Sequence, residues 1–287
     1  PRTVGFRDIG NLILPATLTG TVQSAANVPN SVWPQDDYYG MFSSELSVGP
    51  VYSSVFHLGK DSILWRSANS GASYTALHNF GAGNKVWRFE ISRNNPNVIY
   101  VCANNGLYKS TDAGTSWSTL TLPVAWSSYN TDVAINPLND SEVYVGMANA
   151  ASANKVFKST NGGATWTNIT GTTLAGKKVA FLQYHGGTNG GIYAVTNTRP
   201  SNVYYRDNTM SDWVDFSAGL PASLQARVGA LIFYRDNKMR LAGNCSMWES
   251  PLYATGAPVA QPMVDKRYTG CSRDTFNFYD YSMYDQA

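Results

Sequence analysis

The chain has 287 residues, of which 43% are hydrophobic, 13% aromatic and only 14% charged, with a net charge of +2. That is enough apolar material for one all-β domain, and such domains often run to this length undivided. The near-balance of charge gives no electrostatic ground for a nucleic-acid partner or an anionic membrane surface, and no apolar run is long enough for a transmembrane helix.

In chain order, residues 1–34 hold short apolar runs at 4–9, 12–14 and 18–23 that read as strands outside any repeat. They are expected to form a cut unit or a segment that closes an array. Pro1 at the first position leads to the expectation of a mature or excised chain whose leader is missing. From 35 to 262 the pattern becomes periodic. A strand over 40–46 precedes the segment WRSANSGASYTAL at 65–77; strands over 87–92 and 98–103 precede YKSTDAGTSWSTL at 108–120; strands over 132–136 and 142–147 precede FKSTNGGATWTNI at 157–169. The linkers RNNPN at 93–97 and PLNDS at 137–141 align position for position. A fourth unit is eroded (178–185, 191–195, 203–207, then Trp213), and a fifth covers 228–234, 238–242 and 247–250.

The three segments share Ser-x-Asp/Asn-x-Gly-x-x-Trp/Tyr: Ser67, Asn69, Gly71, Tyr74; Ser110, Asp112, Gly114, Trp117; Ser159, Asn161, Gly163, Trp166. Short alternating runs flanking a Ser/Asp/Gly turn are a hairpin signature. The Asp or Asn side chain is placed to accept hydrogen bonds from turn N–H groups, Gly supplies positive φ, and the aromatic ring is placed to cover the hairpin. A period of about 45 residues holding four strands suits propeller blades. The expected fold is therefore an all-β β-propeller with five visible four-stranded blades, as a ring of its own or as part of a six- or seven-bladed one.

The motif resembles the Asp-box, or BNR repeat, of sialidases, sortilin-type receptors and xyloglucanases. The resemblance implies that the twelve motif residues are structural and lie on the face opposite the functional one. After Pro262 the period fails. Residues 270–282, GCSRDTFNFYDYS, alternate strictly and resemble the opening strand of a PKD-like immunoglobulin-type domain, so 263–287 is expected to be a linker and the start of such a domain; a last blade strand is the alternative. The combination resembles large secreted or surface-anchored bacterial proteins, including those using a type IX secretion route. It implies an extracellular or cell-surface location and further domains of the same polypeptide.

Of three cysteines, Cys102 lies in an apolar run and is expected to be a buried thiol, while Cys245 and Cys271 are a candidate disulfide pair. No Cys/His spacing fits zinc. Asp36, Asp37, Asn139 and Asp140 are conceivable calcium positions but form no dense ligand loop, and no cofactor is expected. A sialidase-type Phe-Arg-Ile-Pro motif is absent; Phe6-Arg7-Asp8-Ile9 does not match it. A glycosidase needs two carboxylates across a cleft. Asp132, at the start of an inner strand, is the weak catalytic candidate; Arg88 takes the equivalent position one blade earlier, and Glu45 and Glu90 form no recognisable pair with Asp132. Sugar binding needs less: flat rings with polar neighbours. Candidate ligand residues are Trp126, Tyr129 and Asn130 in one inter-blade loop, Trp33, Tyr38 and Tyr39 near the N-terminus, and Tyr184 with His185 beside a Gly-rich loop. The expected function is a non-catalytic binding or scaffold module whose partner is a glycan or a surface protein. The alternatives are a glycoside hydrolase of endoglucanase or xyloglucanase type and a component of a surface layer or fibre.

Overall fold

The computed structural model describes residues 7–8, 38–43, 56–68, 73–92, 95–126, 131–148, 151–186, 189–222, 224, 226–234, 238–243, 247–253, 262–264 and 278–280. Among them there is no helix. A short strand β1 (Arg7–Asp8) comes first, followed by blade 1: β2 (Tyr38–Ser43), β3 (Phe56–Lys60), β4 (Ile63–Ser67) and β5 (Thr75–Asn79). Blade 2 is β6 (Val86–Ile91), β7 (Ile99–Ala103), β8 (Gly106–Ser110) and β9 (Ser118–Leu120). Blade 3 is β10 (Thr131–Asn136), β11 (Asn139–Met147), β12 (Val156–Ser159) and β13 (Thr167–Asn168). Blade 4 is β14 (Val179–Tyr184), β15 (Gly191–Thr196), β16 (Val203–Asp207) and β17 (Val214–Asp215). Each blade is an antiparallel meander in which consecutive strands pair.

The fifth sheet departs from that rule. Its strands β18 (Ala226–Tyr234), β19 (Lys238–Gly243) and β20 (Met247–Pro251) follow in order, but its fourth strand is β1, which pairs antiparallel with β20 through Arg7↔Glu249 and Asp8↔Trp248. A separate hairpin pairs β21 (Pro262–Val264) with β22 (Phe278–Asp280). Of the expected PKD-like strand, only β22 lies within the described residues. Both cysteines of the candidate disulfide, Cys245 and Cys271, lie outside them, as do Trp33, Tyr129 and Asn130. The inner strand of blade 1 runs over Tyr38–Ser43 rather than starting at Gly40. The linker at 137–141 is no loop of that length: Asn136 pairs with Asn139, so β11 begins at once after a tight turn.

The core lies between blades, not within one. Four apolar clusters occupy the four interfaces between successive sheets. Leu64, Phe80, Phe89 and Val101 fill the first; Tyr100, Leu107, Val145 and Phe157 the second; Tyr144, Leu174, Leu182 and Trp213 the third; Phe181, Tyr193, Tyr205 and Leu241 the fourth. A strand covered on both faces has no need to alternate, and β7 (IYVCA) and β15 (GIYAVT) are buried at every position. The outer strands β9, β13 and β17 are short and polar and present exposed side chains, which leaves little edge for another chain to pair with.

The repeated turns are locked by their own side chains. Ser110 Oγ accepts the N–H groups of Gly114 (2.8 Å) and Asp112 (3.3 Å) and donates to Asp112 Oδ1 (2.8 Å). Ser159 repeats this with Gly163 (2.8 Å) and Asn161 (3.3 Å). Asp112 Oδ1 then accepts from Ser116 N–H at 2.8 Å, and Asn161 Oδ1 from Thr165 N–H at 2.9 Å. The last bond explains why acid and amide interchange. Ser116 Oγ donates to the Asp112 carboxylate, whereas the Asn161 amide donates to Thr165 Oγ1, so the same gap is closed with the proton running the other way. These bonds, led by those from Ser116, hold the Asp112 carboxyl down at about 2. In the first copy Asn69 and Gly71 lie outside the described residues.

Each turn is also a socket for the blade before it. Gly114 has φ +90° and Gly163 φ +93°, and a Cβ at either would come within 2.5 Å of a leucine, Leu77 or Leu120 respectively. Those leucines sit at the same position, near the end of the preceding copy. Trp117 does not simply cover its own hairpin: its ring packs against His78 and Phe80 of blade 1 while Nε1 donates to Gly114 O at 2.9 Å. Blade 2 then reaches forward, with Tyr100 Oη and Lys109 Nζ donating to Gly162 O at 3.2 and 2.9 Å. In blade 4, where the motif is lost, Asp212 takes over. Its Oδ2 accepts from the N–H groups of Thr172 (3.0 Å) and Thr173 (3.1 Å), and Trp213 Nε1 donates to Ile169 O at 2.7 Å.

Two measurements test this account of inter-blade locking. Gly163→Ala combines a positive-φ strain with a clash and is expected to cost about 3 kcal/mol or more, whereas Gly176→Ala, at φ +70° with nothing within 4 Å of its Cβ, is expected to cost only about 1 kcal/mol, both read by denaturant unfolding. For Asp212, burial pushes the carboxyl up, but the bonds from Thr172, Trp213 and Thr173 outweigh it and bring it from 3.8 to about 2. A depressed folded-state value stabilises the fold above the unfolded value and ceases to do so as pH falls through the folded one. The stability difference between wild type and Asp212→Asn should therefore shrink as pH falls from about 4 to about 2.

Candidate ligand-binding face

In a meander of antiparallel strands, the connectors between blades and the loops joining second to third strands gather at one end. Here they are tied together directly. Val86 N–H bonds Asp61 O at 2.6 Å, Asn104 N–H bonds Lys85 O at 3.0 Å, Gly176 N–H bonds Ala153 O at 2.9 Å, and Asn197 N–H bonds Lys178 O at 2.7 Å. The Ser/Asp/Gly turns, which join third to fourth strands, leave from the opposite end.

On the loop face the sharpest local arrangement is a pair of indoles held by one turn. Trp126 is half-buried, packs on the core between blades 2 and 3, and donates from Nε1 to Ala103 O at 2.9 Å. Trp87, also half-buried, donates from Nε1 to the side-chain oxygen of Asn104, the next residue. Asn104 is held by its own amide, which donates to Gly83 O at 2.7 Å. The Lys85 ammonium stands 5.3 Å from the Trp87 ring centroid. Both indole N–H groups are thus bonded within the protein.

Trp87 is missing from the sequence-derived candidates, although its signal is present. Val86 pairs with Ala103 and Arg88 with Cys102, which makes Trp87 the extra residue of a β-bulge. Bulges re-aim side chains and recur beside binding sites. In the sequence the bulge shows as a broken alternation: Val86, Phe89 and Ile91 share the core facing blade 1, with a step of three before a step of two. Blade 1 has a bulge at the matching place, between Tyr38 and Met41, so Tyr39 takes the register position of Trp87 one blade earlier.

Asp132 is placed at the loop-face end of β10 and is 8% exposed. Its Oδ1 accepts Val133 N–H at 3.0 Å and lies 3.5 Å from Arg88 Nε; its Oδ2 accepts Leu182 N–H at 2.8 Å. Burial pushes its carboxyl up, with Arg88 pulling the other way. It thereby ties the inner strands of blades 2, 3 and 4 together. Cys102 is buried and free, and burial raises its thiol well above the ordinary range. Among the described residues, no three His, Cys, Asp or Glu side chains group as a metal site. Asn139 Oδ1 accepts Ser141 N–H, and Asp140 Oδ1 accepts from Ser92 Oγ.

The third candidate cluster belongs elsewhere. Tyr184 and His185 close β14 and enter the first-to-second strand loop, so they lie at the end of the Ser/Asp/Gly turns and not beside Trp126. Both are buried, at 7% and 5% exposure, and burial pushes His185 down to about 4. Tyr184 packs toward Tyr144 with centroids 5.8 Å apart.

Comparisons with known proteins agree with this architecture. A family model described as Sortilin, neurotensin receptor 3 (Sortilin-Vps10) matches residues 62–174. The chain is 25% identical over 220 residues to a xyloglucanase of Hypocrea jecorina (strain QM6a), covering 72% of this chain and 24% of that protein. It is 26% identical over 149 residues to a xyloglucanase of a Paenibacillus species, covering 44% of this chain and 14% of the relative. The crystal structure of the GH74 xyloglucanase from Xanthomonas campestris superposes with a TM-score of 0.51 at 15% identity, over 74% of this chain and 38% of that one. The chain is thus a β-propeller, similar over part of its length to sortilin-type and xyloglucanase propellers, and it spans about a quarter of the length of the first of these relatives.

Proposed function

We propose that this propeller is a glycan-binding module of an extracellular protein, and that it holds a β-glucan-type chain such as xyloglucan on its loop face without cleaving it. The observation that carries the reading is the convergence of Trp87 and Trp126 on the 103–104 turn, which fixes two flat rings at low entropic cost where sugar faces stack. The choice of glycan follows the named activity of the relatives. In this reading the Ser/Asp/Gly turns are Asp-boxes with a structural role, because the Ser and Asp/Asn side chains of copies two and three bond within their own turns.

A second reading, a glycoside hydrolase, is favoured by the 25% identity to a xyloglucanase. It requires two carboxylates flanking the scissile bond. Asp132 has both oxygens engaged within the protein, and the chain spans only part of the relatives, so a catalytic partner would come from the rest of the protein.

Affinity electrophoresis in xyloglucan tests the two readings. The wild-type chain is expected to be retarded, Trp126→Ala to lose about tenfold in affinity, and a reducing-sugar assay to read zero. Because Trp126 also packs on the core, Trp87→Ala is run beside it, with circular dichroism confirming the fold. Unretarded migration of the wild type would remove the binding reading; sugar release abolished by Asp132→Asn would establish the hydrolase instead.

A further inference from the structure

Arg88 follows Trp87 directly at the bulge of β6, so the residue next to the indole pair is a guanidinium. It is opposite Cys102 in the ladder, on the side of the blade away from blade 1, and its side chain is 13% exposed. Its Cζ lies 5.4 Å from the ring centroid of Phe181, on the inner strand of blade 4. A side chain that passes the neighbouring blade and reaches the next but one stands at the axis, where the inner strands of a propeller converge. Because β6 starts at Val86, straight after the connector from blade 1, this is the loop-face end of the axis.

Asp132 holds this guanidinium without using up its donors. The two Asp132 oxygens each accept a backbone N–H, from Val133 and Leu182, and Arg88 approaches through Nε at an ion-pair distance of 3.5 Å. Among the described residues no hydrogen bond engages Nη1 or Nη2, and neither is one of the buried nitrogens left without a partner. A guanidinium carries a planar fork of donors and no acceptor; here the fork is the accessible part of the side chain. The surroundings are electrically balanced. Asp132 offsets Arg88, and on the same face exposed Asp61 adjoins Lys85, its carbonyl accepting the N–H of Val86 at 2.6 Å. With no excess of positive charge nearby, the fork suits uncharged oxygens better than an anion.

We propose that Arg88 is the specificity-determining residue of this face: its Nη groups donate to two adjacent hydroxyls of a neutral sugar lying at the axis, next to the sugar held by Trp87 and Trp126. This rests on the glycan-binding reading above and deepens it. Consecutive Cα atoms are about 3.8 Å apart, so the step from Trp87 to Arg88 is shorter than one pyranose, and a chain running inward from the indoles meets the fork at its next unit. The rings supply contact that any flat sugar face can share. The fork supplies selection, because a site built to hydrogen-bond hydroxyls rejects a ligand that lacks them there.

The test is calorimetric titration of the whole chain with xyloglucan oligosaccharides. Arg88→Lys keeps a cation beside Asp132 and removes the planar fork, so it is expected to bind about tenfold more weakly than wild type while melting at the same temperature. The wild-type chain supplies a second reading that needs no substitution. An arginine-selective dicarbonyl is expected to label Arg88, and xyloglucan, but not the α-glucan pullulan, to suppress that label in peptide mass mapping. Wild-type binding with Arg88→Lys unchanged would overturn the role of Arg88 and leave the glycan reading standing. So would an Arg88 that the reagent never labels, or whose label is indifferent to xyloglucan, in a chain that binds it. Absence of xyloglucan binding by the wild type would remove both.

Discussion

The arrangement of the first three blades depends on one packing constraint: a leucine at the end of one copied segment must fit against a glycine in the turn of the next. Leu77 against Gly114 and Leu120 against Gly163 leave no space for a methyl group. Because no blade has a core of its own, this fit and the four interface clusters set the spacing and rotation between sheets. The Ser110 and Ser159 hydroxyls hold the turns open at positive φ so that the socket exists. The repeated polar residues look like chemistry because they are polar, yet the Ser and Asp/Asn side chains bond within their own turns.

The same constraint decides where a ligand can act. The Ser/Asp/Gly turns occupy one end of the sheets in satisfying the blade-to-blade fit. The other end is free to vary, and there the chain places bulged or looped aromatics. Trp87 and Trp126 are fixed by hydrogen bonds to adjacent residues of one tight turn rather than by a repeat motif. This division between a conserved-geometry end and a variable end is what lets one propeller frame serve receptors and hydrolases alike.

Most of the fold was legible in the sequence because the repeat reports it directly: three copied hairpins, and strand bounds in blades 2 to 4 that agree closely with those observed. What was not legible followed from tertiary partners. The pairing of β1 with β20 joins segments from opposite ends of the chain, which no local pattern encodes. The substitution of Asp212 for the lost motif in blade 4 depends on Thr172 and Thr173 of the preceding connector. Of the proposed ligand face, Trp126 stands out in its loop sequence, whereas Trp87 lies in a strand whose broken alternation is the sign of a bulge. Tyr184 and His185 lie at the opposite end from Trp126, since the parity of the strand, and not composition, decides which face a loop joins.

The central claim is that ligand meets the loop face at the 103–104 turn and leaves the repeated turns untouched. Hydrogen exchange followed by mass spectrometry, with and without saturating polysaccharide, tests it most directly. The account predicts slowed exchange across 80–87, 103–105 and 121–126 and no change across 111–117 and 160–166. Protection of the turns, with the loop segments unaffected, would contradict it.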